Sequence, residues 1–87
     1  MMRPVLRGAA MRITYDQQAD AVYIYLANEN GEHPVKKTYT CDPLEVSGEI
    51  NIDFDSSSKL VGIEILNASR VLSSGFLKKA EKIGEKK

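Results

Sequence analysis

The 87-residue chain contains one cysteine, one histidine, no tryptophan and three prolines, and its formal charges cancel. A single cysteine, Cys41, excludes an intramolecular disulfide and a cysteine-based zinc site. No apolar run approaches the roughly 20 residues of a membrane-spanning helix. Residues 1–10 hold two arginines and one short apolar stretch, Pro4-Val5-Leu6, too short for the core of a signal peptide. The lack of a signal and of paired cysteines predicts a reducing, cytoplasmic location. His33 has no serine or cysteine at a readable triad spacing and reads as a surface loop residue. Cys41, eight residues further on in an alternating strand pattern, reads as a small half-buried core residue rather than a nucleophile. Gly48 and Gly62 stand isolated, so there is no glycine-rich loop to cradle a phosphate.

What is present suits one small globular domain, with 43% hydrophobic and 28% charged residues. The zero net charge hides an asymmetry. Residues 12–66 carry ten acids against four bases, net −6, and the remainder carries two acids against eight bases, net +6. The central segment is therefore acidic and both ends are basic. Lys78, Lys79, Lys82, Lys86 and Lys87 are the only candidates for contacting nucleic acid, and a solvated helix beside its own acidic sheet is the favoured reading of them. Nucleic acid is not the expected partner, because an acidic sheet repels phosphates.

Alternating apolar residues mark the strands. Residues 12–15 form a first strand, with β-branched Ile13 and Thr14. Asp16 and Asp20 bracket a polar turn, where short carboxylates bond nearby backbone N–H groups. Residues 21–26 form a second strand that is partly apolar on both faces: Val22, Ile24 and Leu26 on one, Ala21, Tyr23 and Tyr25 on the other. Asn30-Gly31 is a hairpin-turn signal. Residues 35–41 form a third strand, and a loop from Asp42-Pro43 reaches Gly48.

The densest pattern lies at 48–66. Ile50, Ile52 and Phe54 alternate with Glu49, Asn51, Asp53 and Asp55; Val61, Ile63 and Ile65 alternate with Leu60, Gly62, Glu64 and Leu66. A four-residue loop over 56–59 pairs Phe54 with Val61, Ile52 with Ile63 and Ile50 with Ile65. A one-residue slip would mix the faces. Each apolar cross-strand pair is worth roughly 0.2–1 kcal/mol, so the whole-face register is preferred. Beyond Leu66 the period changes. Asn67 reads as a helix N-cap, and Ala68, Val71, Leu72, Phe76, Ala80 and Ile83 share one helical face. Ser73-Ser74-Gly75 predicts a short helix over 68–73 followed by a break, with fraying from Lys82 onward.

The predicted architecture is α+β: a small antiparallel sheet of four to five strands, arranged as a meander of hairpins and followed by a C-terminal helix. The helix should cover the face bearing Val61, Ile63 and Ile65. Residues 1–10 read as a poorly ordered upstream extension, 11–74 as the single sheet-plus-helix domain, and 75–87 as a basic helical or frayed tail. One short helix cannot cover a whole sheet, so Tyr23 and Tyr25 become candidates for self-association.

Two segments carry a resemblance. Residues 11–26, Met-Arg-Ile-Thr-Tyr-Asp-Gln-Gln-Ala-Asp-Ala-Val-Tyr-Ile-Tyr-Leu, resemble the opening of a family of short, mostly bacterial proteins known as domain of unknown function 2283. Ile50-Asn-Ile-Asp-Phe-Asp55 followed by Leu60-Val-Gly-Ile-Glu-Ile-Leu-Asn-Ala-Ser69 resembles that family's ending. Ser58 stands where the family usually has glycine, so a left-handed turn residue there would carry a cost. Asn67 stands where the family often has aspartate. The resemblance implies a small β-rich fold with a helix and no established biochemistry. Such families are sometimes encoded beside small toxin-like proteins, which makes an antitoxin-like role conceivable.

The candidate functional face is Asn51, Asp53, Gly62 and Glu64. In the chosen register Asn51 lies opposite Glu64 and Asp53 opposite Gly62, whose missing side chain leaves a gap that something could approach. A solvated polar sheet face is the plainer reading. A buried Glu64 would call for Arg12 or Arg70 as its partner. Asp16 and Asp20 are candidate turn carboxylates, but two on one turn fall short of the oxygens a hard cation needs. No metal, cofactor or catalytic residue is assigned. The expected function is a non-enzymatic protein-interaction module that self-associates, a dimer being favoured, with a basic protein as a further partner. The competing expectation is a small acidic-site enzyme or metal-dependent binder using Asp53 and Glu64.

Overall fold

The computed structural model describes residues 12–27 and 33–84. Strands β1 (Arg12–Asp16) and β2 (Ala21–Tyr25) form an antiparallel hairpin, and β3 (Lys37–Thr40) pairs with β4 (Glu49–Phe54) across a short helix, α1 (Pro43–Val46). Strand β5 (Leu60–Leu66) follows, then α2 (Ala68–Val71), α3 (Ser74–Lys79) and β6 (Glu81–Ile83). The sheet order is β3-β4-β5-β2-β1-β6, antiparallel throughout except for the parallel β1–β6 pair.

The α+β class is as expected, but the sheet has six strands, not four to five. Nor is it a simple meander, because β2 lies beside β5 and not beside β3. The Asn30-Gly31 hairpin signal and the expected extension over residues 1–10 lie outside the described residues. The helical segment splits in two. Leu72, in extended conformation, ends the first piece, and Ser73 caps the second, its hydroxyl accepting a hydrogen bond from the Phe76 N–H at 3.2 Å.

Residues 81–83, expected to be helical or frayed, form the sixth strand. The cause is local. The Lys82 ammonium donates to the carbonyls of Leu77, Lys78 and Ala80 at 2.9, 3.2 and 2.9 Å. A cation on the last carbonyls of α3 terminates the helix and turns the chain onto β1. There the Arg12 guanidinium grips the Glu81 carboxylate through two hydrogen bonds of 3.0 and 3.1 Å. Helix α1 was also unforeseen, although Asp42 and Pro43 are a start signal: the Asp42 carboxylate accepts from the Leu44 N–H at 3.0 Å.

Direct cross-strand pairing divides the sheet into two faces. One carries the row Ile13, Ile24, Ile63, Ile52, Tyr39 and beside it the row Tyr15, Val22, Ile65, Ile50. This face packs under the helices, as its pattern predicts: Val22 and Ile65 meet Ala68 and Leu77 in the buried core. The other face carries Thr14, Tyr23, Glu64, Asn51, Thr40 and, in the next row, Arg12, Tyr25, Gly62, Asp53, Thr38.

The β4–β5 register holds at Ile52–Ile63 and Ile50–Ile65, and fails at the turn. Phe54 pairs with Leu60, not Val61, through an irregularity between Asp53 and Phe54. Asp55 causes the shift. Its carboxylate accepts from the N–H groups of Ser57 and Lys59 at 2.8 and 3.0 Å, and its own N–H donates to the Lys59 carbonyl, which tightens the loop. Ser58 takes the left-handed conformation at φ 64° that glycine would adopt more easily.

Candidate functional site

The face bearing Asn51, Asp53, Gly62 and Glu64 is a closed hydrogen-bond lattice built across four strands. Gly62 creates the expected gap in β5, but the chain fills it itself. The Tyr23 ring crosses over Gly62 from β2, where any Cβ at position 62 would overlap its ring and hydroxyl. Its hydroxyl donates to Asp53 Oδ2 at 2.6 Å, and Thr38 Oγ1 donates to Asp53 Oδ1 at 2.7 Å. Each oxygen of the Asp53 carboxylate therefore has a short intrachain donor. One row away, Thr40 Oγ1 donates to Asn51 Oδ1 at 2.8 Å and Asn51 Nδ2 donates to Glu64 Oε1 at 2.9 Å. The same Asn51 amide also reaches Glu49 Oε2 at 3.5 Å. Asn51 is 9% exposed. Among the described residues, no buried side-chain nitrogen or oxygen lacks a partner.

Glu64 is half-buried, and its partner is the Asn51 amide, not Arg12 or Arg70. Arg12 is taken by Glu81 and by the Tyr25 ring, with the guanidinium 5.4 Å from the ring centroid. Tyr25 in turn meets Tyr23 edge to face, centroids 4.6 Å apart. The two candidate self-association tyrosines are thus half-buried and engaged within the chain.

Electrostatics lock the arrangement. Burial, then the hydrogen bond to Asp53 and the negative charges of Asp53 and Glu64, push the Tyr23 phenol well above its ordinary value. A phenol held neutral so firmly is a fixed hydrogen-bond donor and a poor proton shuttle near neutral pH.

Asp16 and Asp20 are not brought together as a ligand pair. Asp16 Oδ1 accepts from the Ala19 N–H at 3.1 Å, within the turn. Asp20 reaches away from it and caps α2 from a distant strand end. Its carboxylate accepts from the Ser69 N–H at 3.0 Å and the Ser69 hydroxyl at 2.8 Å, and its backbone carbonyl accepts from the Ala68 N–H at 2.9 Å. Tyr15 donates to the same carboxylate at 2.9 Å. The Ser69 hydroxyl bond holds the Asp20 carboxyl below its usual range, and the bond to Asp20 raises the Tyr15 phenol. Asn67, the expected cap, instead lies at φ 56° and makes no side-chain cap bond. Asp20 does that work across a sequence separation of 49 residues.

His33 is exposed, with Nδ1 3.7 Å from Asp55 Oδ2. Cys41 is half-buried at the end of β3. Of the tail lysines, Lys78 and Lys79 are exposed on α3, Lys82 is engaged with three carbonyls, and Lys86 and Lys87 lie outside the described residues. Among the described residues there is no group of three or more His, Cys, Asp or Glu side chains that could hold a metal ion, and no helix is long and apolar enough to cross a membrane.

Sequence reading found Asn51, Asp53, Gly62 and Glu64 but missed Tyr23, Thr38 and Thr40 as their partners. The missing signals were the placement of β2 beside β5 for Tyr23 and the β3–β4 register for Thr38 and Thr40, which no local pattern encodes. No curated protein and no solved structure matches the chain. A family does match, over residues 12–69, two thirds of the chain, covering β1 to the start of α2 and both rows of the lattice. The chain belongs to this family, described as a protein of unknown function, DUF2283.

Proposed function

We propose that the protein is a non-enzymatic, cytoplasmic interaction module that works as a homo-oligomer, a dimer being favoured. One observation carries this reading: the three most exposed large apolar side chains lie at or flank β3, an edge strand that among the described residues no other strand covers on its outer side, while Asp53 and Glu64 are tied to neighbouring side chains. Val35, Tyr39 and Leu44 are 46%, 60% and 91% exposed, and all lie on or beside β3. All four residues of β3 are exposed. An open strand edge rich in β-formers is a template for pairing with another chain.

The competing enzyme or metal-binder reading needs Asp53 and Glu64 free to meet a ligand. Each already accepts short intrachain hydrogen bonds, and a ligand would have to displace them. The net −6 of residues 12–66 suits a basic protein as a second partner, an antitoxin-like role included.

Sedimentation of the full chain over a concentration series is the test. The expected result is a mass that rises to a defined multiple of 9.7 kDa. A monomer at every concentration overturns the reading.

A further inference from the structure

We propose that two copies of this chain pair antiparallel along β3, with Tyr39 opposite Tyr39 of the second copy, to join two six-stranded sheets into one. This inference rests on the self-association reading and specifies its surface and register.

Three features of the edge lead to it. The first is the row Ile13, Ile24, Ile63, Ile52, Tyr39, in which each of five adjacent strands contributes one apolar side chain to the same face. The row runs to the open edge and stops at a tyrosine that is mostly in solvent. A second β3 set against the first continues the row through Tyr39 of the other copy into its Ile52.

The second feature is backbone polarity. The Cys41 N–H donates to the Ile50 carbonyl at 2.9 Å. Alternation in an antiparallel ladder then assigns the backbone groups of residues 37, 39 and 41 to β4, and the alternation ends at residue 36, whose N–H also donates to β4, to the Phe54 carbonyl at 2.7 Å. Those of Thr38 and Thr40 point to the open edge, where among the described residues no strand meets them.

The third is register. Pairing that uses the Thr38 and Thr40 groups and keeps like faces together has three centred solutions. One sets Thr38 against itself and Lys37 against Tyr39. Another sets Thr40 against itself, Tyr39 against Cys41 and Thr38 against Asp42. The third sets Tyr39 against itself, with Thr38 against Thr40 and Lys36 against Asp42 each twice by symmetry. The third wins on charge and shape. It gives two opposite-charge pairs, two threonine pairs and one aromatic pair, the cross-strand partners that stabilise sheets. One oxygen of Asp42 accepts from the Leu44 N–H at 3.0 Å. The same register brings Val35 toward Pro43 and Leu44 of the second copy, so the exposed apolar residues at this edge approach one another. Registers that oppose lysine to lysine at positions 36 or 37 are penalised, which protects the edge from indiscriminate pairing.

The test is disulfide trapping in the full chain beside the mass measurement. Residues 39 and 39, like 37 and 41, form non-hydrogen-bonded pairs with Cα atoms about 4.5 Å apart, within disulfide reach. Tyr39→Cys in a Cys41→Ser background should give a covalent dimer under a mild added oxidant. Lys37→Cys with native Cys41 should do the same through Cys41 of the second copy. Thr38→Cys in the Cys41→Ser background should stay uncrosslinked, because it faces position 40. Dimers that trap at 39 and at 37–41 support the proposal. Trapping at 38 instead, or a solution dimer that traps at none of the three, overturns it while self-association stands. A monomer whose Thr38 and Thr40 amides are protected from hydrogen exchange would mean another segment of the same chain covers the edge, and both readings fall.

Discussion

The two faces of this sheet are stabilised by different physics. The helix-covered face is apolar: Val22 and Ile65 bury hydrocarbon against Ala68 and Leu77. The opposite face is held by directional bonds, Thr38 and Tyr23 on Asp53, Thr40 through Asn51 on Glu64. Hydrophobic burial is non-directional and scales with area. A polar lattice depends on every member having its partner. The comparison teaches that acidic residues on a sheet face are not thereby a site. Here they are the second fastening of the fold, and Gly62 matters because it lets one tyrosine cross a strand to reach them.

The largest effect should come from the apolar face. Ile65→Ala removes a buried side chain beside Val22 and leaves a cavity. Chemical denaturation should show a loss of about 2–5 kcal/mol. A loss under 1 kcal/mol would mean that the helices do not seal this face.

The polar face should fail through a smaller residue. Gly62→Ala adds one methyl group where Tyr23 lies, so the ring must leave and Asp53 loses a donor. The expected cost is about 2–4 kcal/mol, from overpacking plus the broken bond. The interaction is pairwise and a double-mutant cycle isolates it: in a Tyr23→Ala background the added methyl should cost much less. Additive costs would show that Tyr23 does not occupy that space. Alkaline titration of the wild-type protein should also find Tyr23 ionising late, given its raised phenol.

How much of this was legible follows from range. The apolar face was readable because alternation in β4 and β5 is local, and Ile52–Ile63 and Ile50–Ile65 pair as their pattern requires. Asn51, Asp53, Gly62 and Glu64 were singled out on the same grounds. Their meaning was not readable, because Tyr23 is 30 residues from Asp53 and only the order β5-β2 brings them together. Strand β6 was hidden for a related reason. Its residues look like a basic helical tail until Arg12, 69 residues away, is placed beside Glu81. Asp20 shows the intermediate case: its capping chemistry and the helix over 68–71 were both foreseen, but not that the one caps the other across 49 residues.

Asp20 ties the β1–β2 turn to α2 at one end of the sheet, and its removal should cost less than either change above. Asp20→Ala deprives Ser69 of both acceptor bonds, and loss of a cap costs about 1–2 kcal/mol. The effect depends on pH in a defined direction. The folded carboxyl titrates below its unfolded value, so its contribution is fully present above the unfolded value, about 3.9, and is lost as pH falls through the folded one. Wild-type stability should therefore drop more steeply below about pH 4 than that of Asp20→Ala. Because this carboxylate is close to solvent, part of the difference should be screened by salt. Parallel acid limbs in the two proteins would remove Asp20 from this role.

The smallest expected effect is a gain, and it lies at the β4–β5 turn that serves both faces. Ser58 sits at φ 64° with its N–H bonded to the Asp55 carbonyl at 3.0 Å. A left-handed residue with a Cβ is strained by roughly 1–2 kcal/mol, and glycine relieves that strain while giving back part of it as unfolded-chain entropy. Ser58→Gly should therefore stabilise the protein by about 0.5–1 kcal/mol. The side chain is exposed, so no packing term should obscure the result. Asp55 fixes the loop from both sides through Ser57 and Lys59, and its carboxyl is held low, first of all by the Lys59 N–H. With the loop so constrained, glycine at 58 has no new conformation to exploit, and the register of Ile52 with Ile63 should not move. A neutral or destabilising change at 58, read by denaturant midpoint at constant slope, would mean that the turn owes its shape to serine itself and not to the Asp55 bonds.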